Sequence, residues 1–158
     1  MQDFSKIEDP FGDDLGLTIR KVFKLWQRII QKCLDEYGLT SPQMELLGAI
    51  IHLKMNNTEV TQIALSQETN IDPMTTSTIL RNMQKKGLIT RKESKTDTRA
   101  RIVEITDDGY DRFQKAVKKI KDLYEKIFSQ EEERDAFRTK FLKLQESLNR
   151  INEEFFIN

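Results

Sequence analysis

Cysteine and histidine are almost missing from this chain: Cys33 and His52 are the single instances in 158 residues. A lone thiol closes no intramolecular disulfide, so a reducing compartment is expected. One imidazole and one thiol cannot assemble a Cys-His metal cluster, nor a convincing Ser-His-Asp or Cys-His catalytic set. Glycine and proline are scarce, at six and three, which favours helix over loop-rich scaffolds. No Gly-rich phosphate loop can be found. No apolar run approaches the roughly 18 residues of a membrane span. The opening Met-Gln-Asp-Phe-Ser has neither the basic start nor the apolar block of a secretory signal. Enzyme activity, a cofactor, a metal and a membrane partner are therefore not expected, and a cytoplasmic location is. Paired carboxylates such as Asp107-Asp108 read as helix capping rather than acid-base chemistry.

What is plentiful is charge, 33% of residues against 37% hydrophobic, with 26 basic and 26 acidic groups in balance. The apolar share is too large for wholesale disorder, and the length suits one domain with helical extensions. The balance is not uniform along the chain. Arg81, Lys85, Lys86, Arg91, Lys92, Lys95, Arg99 and Arg101 face only Glu93 and Asp97, a net +6 in one short stretch. Charge alone fits a phosphate-binding face and a solvated loop equally well.

The apolar periodicity orders the chain. Residues 1–14 read as a flexible acidic arm containing Pro10 and Gly12. A first helix runs from Leu15 to about Glu36, its stripe (Ile19, Val22, Phe23, Trp26, Ile29, Ile30, Cys33, Leu34) spaced by threes and fours. Thr40 with Gln43 forms a capping box for a second helix, with Met44, Leu47, Ile50 and Ile51 inward. A third, short helix covers about Thr61 to Thr69, with Ile63, Ala64 and Leu65 inward. Asp72 caps and Pro73 opens a fourth, ended by Gly87. Its inward stripe is Thr76, Ile79, Leu80 and Met83; the opposite face holds Met74, Thr78, Arg81 and Lys85. The period then shortens: Leu88–Lys92 and Arg101–Ile105 read as strands around a polar tip. Thr106 caps a fifth helix with Tyr110, Phe113, Val117, Ile120, Tyr124 and Ile127 on one side. Ser129 and Glu132 form a second capping box before the last helix. There Phe137, Phe141, Leu144, Leu148, Ile151 and Phe155 make a heptad seam, expected to pack between molecules.

The fold class is thus mainly α with a small β-hairpin. A winged helix-turn-helix core at 40–106 is flanked by an N-terminal helix at 15–37 and C-terminal helices at 107–158. A helix with short polar side chains on its outer face can touch base edges in the major groove. Thr75, Ser77, Thr78 and Arg81 suit that task, and Lys85 continues the face. Lys95, Arg99 and Arg101 lie on or beside the hairpin tip, where arginine can reach phosphates and the minor groove. The free amides at the start of the third or fourth helix can hold a further phosphate.

Several fragments taken together carry a family resemblance. They are Gly38-Leu39-Thr40 with Gln43, Asn70-Ile71-Asp72-Pro73, Lys86-Gly87-Leu88-Ile89-Thr90-Arg91, Asp97-Thr98-Arg99, and Ile105-Thr106 ahead of Gly109. In this order and spacing, from about Leu15 to Gly109, the chain resembles the MarR family of regulators. The resemblance implies a homodimeric, DNA-binding repressor, held together by dimerisation helices at 15–37 and 107–158, that occupies a pseudo-palindromic operator with one recognition helix per half-site. It implies that Arg99 is the wing arginine entering the minor groove and that Asp97 orients it. Thr78 stands where many relatives carry a basic residue. The family fold also implies a cleft for a small aromatic or amphipathic ligand, which Phe23 and Trp26 could line; the periodicity alone assigns both to core or dimer interface. Cys33 lies near the end of the first helix, not near its start as in relatives that sense oxidants, and it is expected to pack. The alternative function is a winged-helix module that binds protein; it calls for an apolar outer face on the fourth helix, and only Met74 answers to that. A small-molecule carrier leaves the +6 stretch unexplained.

Overall fold

The computed structural model describes residues 14–93 and 101–156. They form α1 (Leu15–Asp35), α2 (Ser41–Met55), α3 (Gln62–Thr69), α4 (Pro73–Lys85), β1 (Ile89–Glu93), β2 (Arg101–Ile105), α5 (Asp107–Ile127) and α6 (Glu131–Phe156). The acidic arm before Asp14 and the hairpin tip, with Lys95, Asp97 and Arg99, lie outside the described residues. Contacts group the chain into two units, one ending at Val117 and the other starting at Lys118.

In the first unit α2 is the central element, in contact with α1, α3, α4 and β2. Its buried residues are Gln43, Leu46, Leu47, Ala49, Ile50 and Leu53. Met44 and Ile51, expected to point inward, are only half-buried. A helix surrounded by neighbours buries more than one stripe, and the three-four spacing then misplaces the centre of the buried face. The expectation for α3 also needs correcting: Ile63 is 65% exposed, whereas Leu65 and Ser66 are buried. Eight residues make little more than two turns, too few for periodicity to choose a face. Tertiary bonds choose it instead, with the Ser66 hydroxyl donating to the Ile71 carbonyl at 2.6 Å. In α4 the expected stripe is in place, with Thr76, Leu80 and Met83 fully buried.

The helix ends are encoded locally. Gly87 has φ +75°, and behind it the Leu88 amide donates to the Met83 carbonyl at 3.0 Å. This left-handed close satisfies the last carbonyls of α4 and turns the chain into β1. Strands β1 and β2 pair antiparallel with Ile89 opposite Ile105 and Arg91 opposite Val103. A further pairing was not legible in the sequence: the Val103 amide donates to the Val60 carbonyl at 2.8 Å, and Thr61 bridges to Ile102. A single bridge leaves no alternation to read.

The root of the hairpin is locked to α5. The Thr106 amide donates to the Leu88 carbonyl at 3.1 Å, and the Thr106 hydroxyl to the Gly87 carbonyl at 2.6 Å. The same hydroxyl accepts from the Gly109 amide at 3.1 Å. It thus caps α5 and anchors the turn after α4 with one side chain.

In the second unit α6 begins one residue later than its expected capping box. Gln130, rather than Ser129, supplies the first helical carbonyl, to Arg134. Phe137 lies between Phe128 and Phe141, with ring centroids 5.2 and 4.6 Å away. Otherwise the seam is bare. Phe141, Leu148, Ile151 and Phe155 are all exposed, and between Glu131 and Phe155 only Leu144 and Ser147 are half-covered. In the first unit the face of α1 carrying Leu15, Ile19, Val22 and Phe23 is exposed as well. No helix among the described residues is long and apolar enough to cross a membrane.

Candidate nucleic-acid interface

The outer face of α4 is built opposite its buried stripe. At about 100° per residue, Met74, Thr78 and Lys85 fall within roughly 30°, and Arg81 within roughly 50°, of the direction facing away from Thr76, Leu80 and Met83. All four are exposed, as is Thr75, while Ser77 is half-buried. Polar contacts within the helix order this face. Arg81 donates to the Ser77 hydroxyl at 3.1 Å, and the Thr78 hydroxyl donates to the Met74 carbonyl at 3.1 Å.

Both ends of α4 are fixed. At its start the Asp72 carboxylate accepts from the Met74 and Thr75 amides at 3.1 and 2.9 Å. Hydrogen bonds from Thr75, first from its side chain and then from its backbone, hold the Asp72 carboxyl below its ordinary range. These amides were candidates for a phosphate; the chain's own carboxylate takes them, so the expected anion site at the start of α4 is filled from within. At the other end Lys86 donates to the Gly38 carbonyl at 3.0 Å and to the Gln43 side chain at 3.4 Å. Gln43 also accepts from the Thr40 amide at 3.1 Å, which is the return half of the expected capping box.

Lys86 reaches a crowded corner. Between α1 and α2 three successive carbonyls are each claimed by a side chain from a different helix or its end. Arg112 of α5 donates to Tyr37 at 3.4 Å, Lys86 after α4 donates to Gly38, and Gln31 of α1 donates to Leu39 at 3.0 Å. Gln31 also accepts from the Ser41 amide at 3.1 Å. The positive φ of Gly38, +66°, is what exposes this run of oxygens at the turn.

The +6 stretch separates into parts. Lys86 serves the corner. Lys92 is paired with Glu104 across the strands at 2.7 Å, and that bond, followed by the lysine's charge, lowers the Glu104 carboxyl. The guanidinium groups converge instead. Arg91 on β1 donates to Gln84 of α4 at 2.8 Å. Burial pushes its guanidinium down from the ordinary value, and the positive charges of Arg101 on β2 and Arg81 on α4 add to the effect. Three elements therefore bring like charge together beside the outer face of α4, an arrangement that favours an anion. Of the sequence-derived residues, Thr75, Ser77, Thr78, Arg81, Lys85 and Arg101 are described here. Arg91 was missed as a site residue. Its signal was its place two residues beyond Ile89, on the same side of the ribbon.

The remaining candidates are not drawn into this face. Phe23 is exposed, and Trp26 and Cys33 are half-buried. A shallow hollow of about 270 Å³ is lined by Glu45, Gly48, Ala49, His52, Glu68 and Thr69, with neither aromatic residue in it. The His52 ring is engaged there with Glu68 at 2.8 Å and with Asn56 at 3.0 Å.

Residues 37–100, from the corner through α4 and into the hairpin, match the model of the MarR family. Over that stretch the chain is similar to the MarR family. Two relatives come from Bacillus subtilis (strain 168). The uncharacterized HTH-type transcriptional regulator YdcH is 26% identical over 82% of this chain and 87% of its own. The organic hydroperoxide resistance transcriptional regulator is 29% identical over 73% of each chain. Among solved structures, the Staphylococcus aureus MepR–DNA complex superposes with a TM-score of 0.74 at 21% identity, over 85% of this chain and 98% of MepR. At that identity the likeness is one of fold.

Proposed function

We propose that this protein is a MarR-type, sequence-specific DNA-binding transcriptional regulator that acts in the cytoplasm as a homodimer. It represses by occupying a pseudo-palindromic operator, with one α4 in the major groove of each half-site. The observation that carries the reading is the convergence of Arg81, Arg91 and Arg101 beside an outer face of threonine, arginine and lysine on α4. That combination supplies phosphate-binding charge next to groups suited to base edges. MepR and the Mycobacterium tuberculosis regulator MOSR, both similar in fold, have been solved with DNA, which supports the same use of this helix. The bare apolar faces of α1 and α6 support assembly with a second copy.

By family resemblance, Arg99 enters the minor groove at the wing with Asp97 orienting it, and Lys95 adds phosphate contact. A small aromatic or amphipathic effector, near Phe23 and Trp26, releases DNA by favouring a different spacing of the two recognition helices. A ligand can do so only through unequal affinity for the two arrangements.

The test is selection of bound fragments from a random duplex library at two salt concentrations. Expected is an inverted repeat with half-sites about one helical turn apart and affinity that falls steeply with salt. Arg81→Ala and Arg99→Ala should lose that affinity while keeping the circular dichroism spectrum of the parent. No enriched sequence from a folded dimer, or two variants that bind as well as the parent, would overturn the reading.

A further inference from the structure

We propose that Met74 reads thymine: its thioether side chain packs on the C5-methyl group of a thymine at one fixed position of each operator half-site. The inference rests on the DNA-binding reading above and deepens it from binding to base choice. Met74 is the second residue of α4 and is 80% exposed. It shares the outward direction with Thr78, Arg81 and Lys85, none of which is apolar. A lone exposed methionine is ordinarily without meaning, but its position here is particular. The first turn of a recognition helix is the part that meets base edges. Along the major-groove edge the one apolar feature that distinguishes a base pair is the thymine methyl.

The backbone under Met74 is held on both sides. Its amide is bound by Asp72 at 3.1 Å, and its carbonyl accepts the Thr78 hydroxyl at 3.1 Å. The fixed helix start presents a flexible, polarizable side chain from a defined place, which suits contact with a small methyl surface. With its proton donated inward, the Thr78 hydroxyl is left to accept from a base rather than to donate. A protein partner would need an apolar patch, and the polar character of Thr78, Arg81 and Lys85 on the same face denies one.

The experiment uses the full-length dimer and its selected operator, with uracil replacing thymine one position at a time; the exchange removes the methyl group and nothing else. At one position per half-site the parent should lose about fourfold in affinity, the worth of one buried methyl. Met74→Ala, checked for unchanged circular dichroism, should bind the thymine and uracil operators equally at that position. A parent indifferent to uracil everywhere overturns the proposal while leaving DNA binding intact. So does a Met74→Ala variant that keeps the parent's sensitivity at every position. Failure of the parent to select any operator overturns the underlying reading and this proposal with it.

Discussion

Gly109 lies so close under the carbonyl of Leu88 that a β-carbon at this position would overlap the carbonyl oxygen. The obstacle is backbone, part of a turn pinned by Thr106 from two directions, so it cannot swing aside as a flexible side chain would. Gly109→Ala should therefore destabilise the fold by about 1–3 kcal/mol, as overpacking against a fixed neighbour does. Urea unfolding should show a lower midpoint with an unchanged slope. A variant as stable as the parent would mean that α5 can shift away from the hairpin root.

Lys85 and Lys86 are neighbours in sequence with different work. Lys85→Ala should leave urea stability unchanged and reduce by about two the slope of log affinity against log salt, the mark of one lost phosphate contact in each half-site. Lys86→Met should do the reverse. It should lower stability by about 1 kcal/mol through the lost bonds to Gly38 and Gln43, and any fall in DNA affinity should come without a change in salt slope. Matching slope changes for the two would remove the structural assignment of Lys86.

Acid should weaken the fold through identifiable carboxylates. Asp72 and Glu104 are held below their ordinary values of 3.8 and 4.5. A group whose folded pKa is depressed stabilises the fold fully above its unfolded value, and the contribution fades as pH falls through the folded value. Asp72→Asn combined with Glu104→Gln should thus be less stable than the parent near neutrality, and the gap should close below these ordinary values. Both groups are solvent-accessible, so the effect is a small one, read as a narrowing difference in thermal midpoints across an acid titration. A gap that stays constant into acid would mean that charge plays no part.

The α6 seam is tested by charge. Leu148→Glu should convert the proposed dimer to monomer at micromolar concentration in sedimentation equilibrium and weaken operator binding with it. Its helical content should change little, because Leu148 is exposed within its own unit. A dimer undisturbed by this substitution would place the assembly surface elsewhere.

The element order could be read from sequence because the signals were local and redundant. Asp72-Pro73 opened α4 and Gly87 closed it, and Thr106 capped α5 where the period changed. The outer face of α4 followed from thirteen residues of clear periodicity. Where local signals were weak, the reading failed. Ile63 was placed inward because two turns of α3 cannot define a face, and the Val60 pairing to β2 was missed because one bridge leaves no pattern. Arg91 illustrates a different limit. Its charge was visible, but its convergence with Arg81 and Arg101 depends on the strand register and the strand's approach to α4, which no local rule supplies. Of the two helix starts expected to hold a phosphate, that of α4 is taken because Asp72 was read as an N-cap without asking which amides it would consume.

The corner at Tyr37, Gly38 and Leu39 bears on how a signal could travel. A carbonyl in a loose turn absorbs a neighbour's motion; three in succession, each gripped from a different helix, leave little slack to absorb it. Through these bonds the end of α1 is joined directly to the turn after α4 and to α5. A shift at the end of α1 therefore has a second route to the end of the fourth helix, through the Lys86 side chain as well as through the intervening backbone.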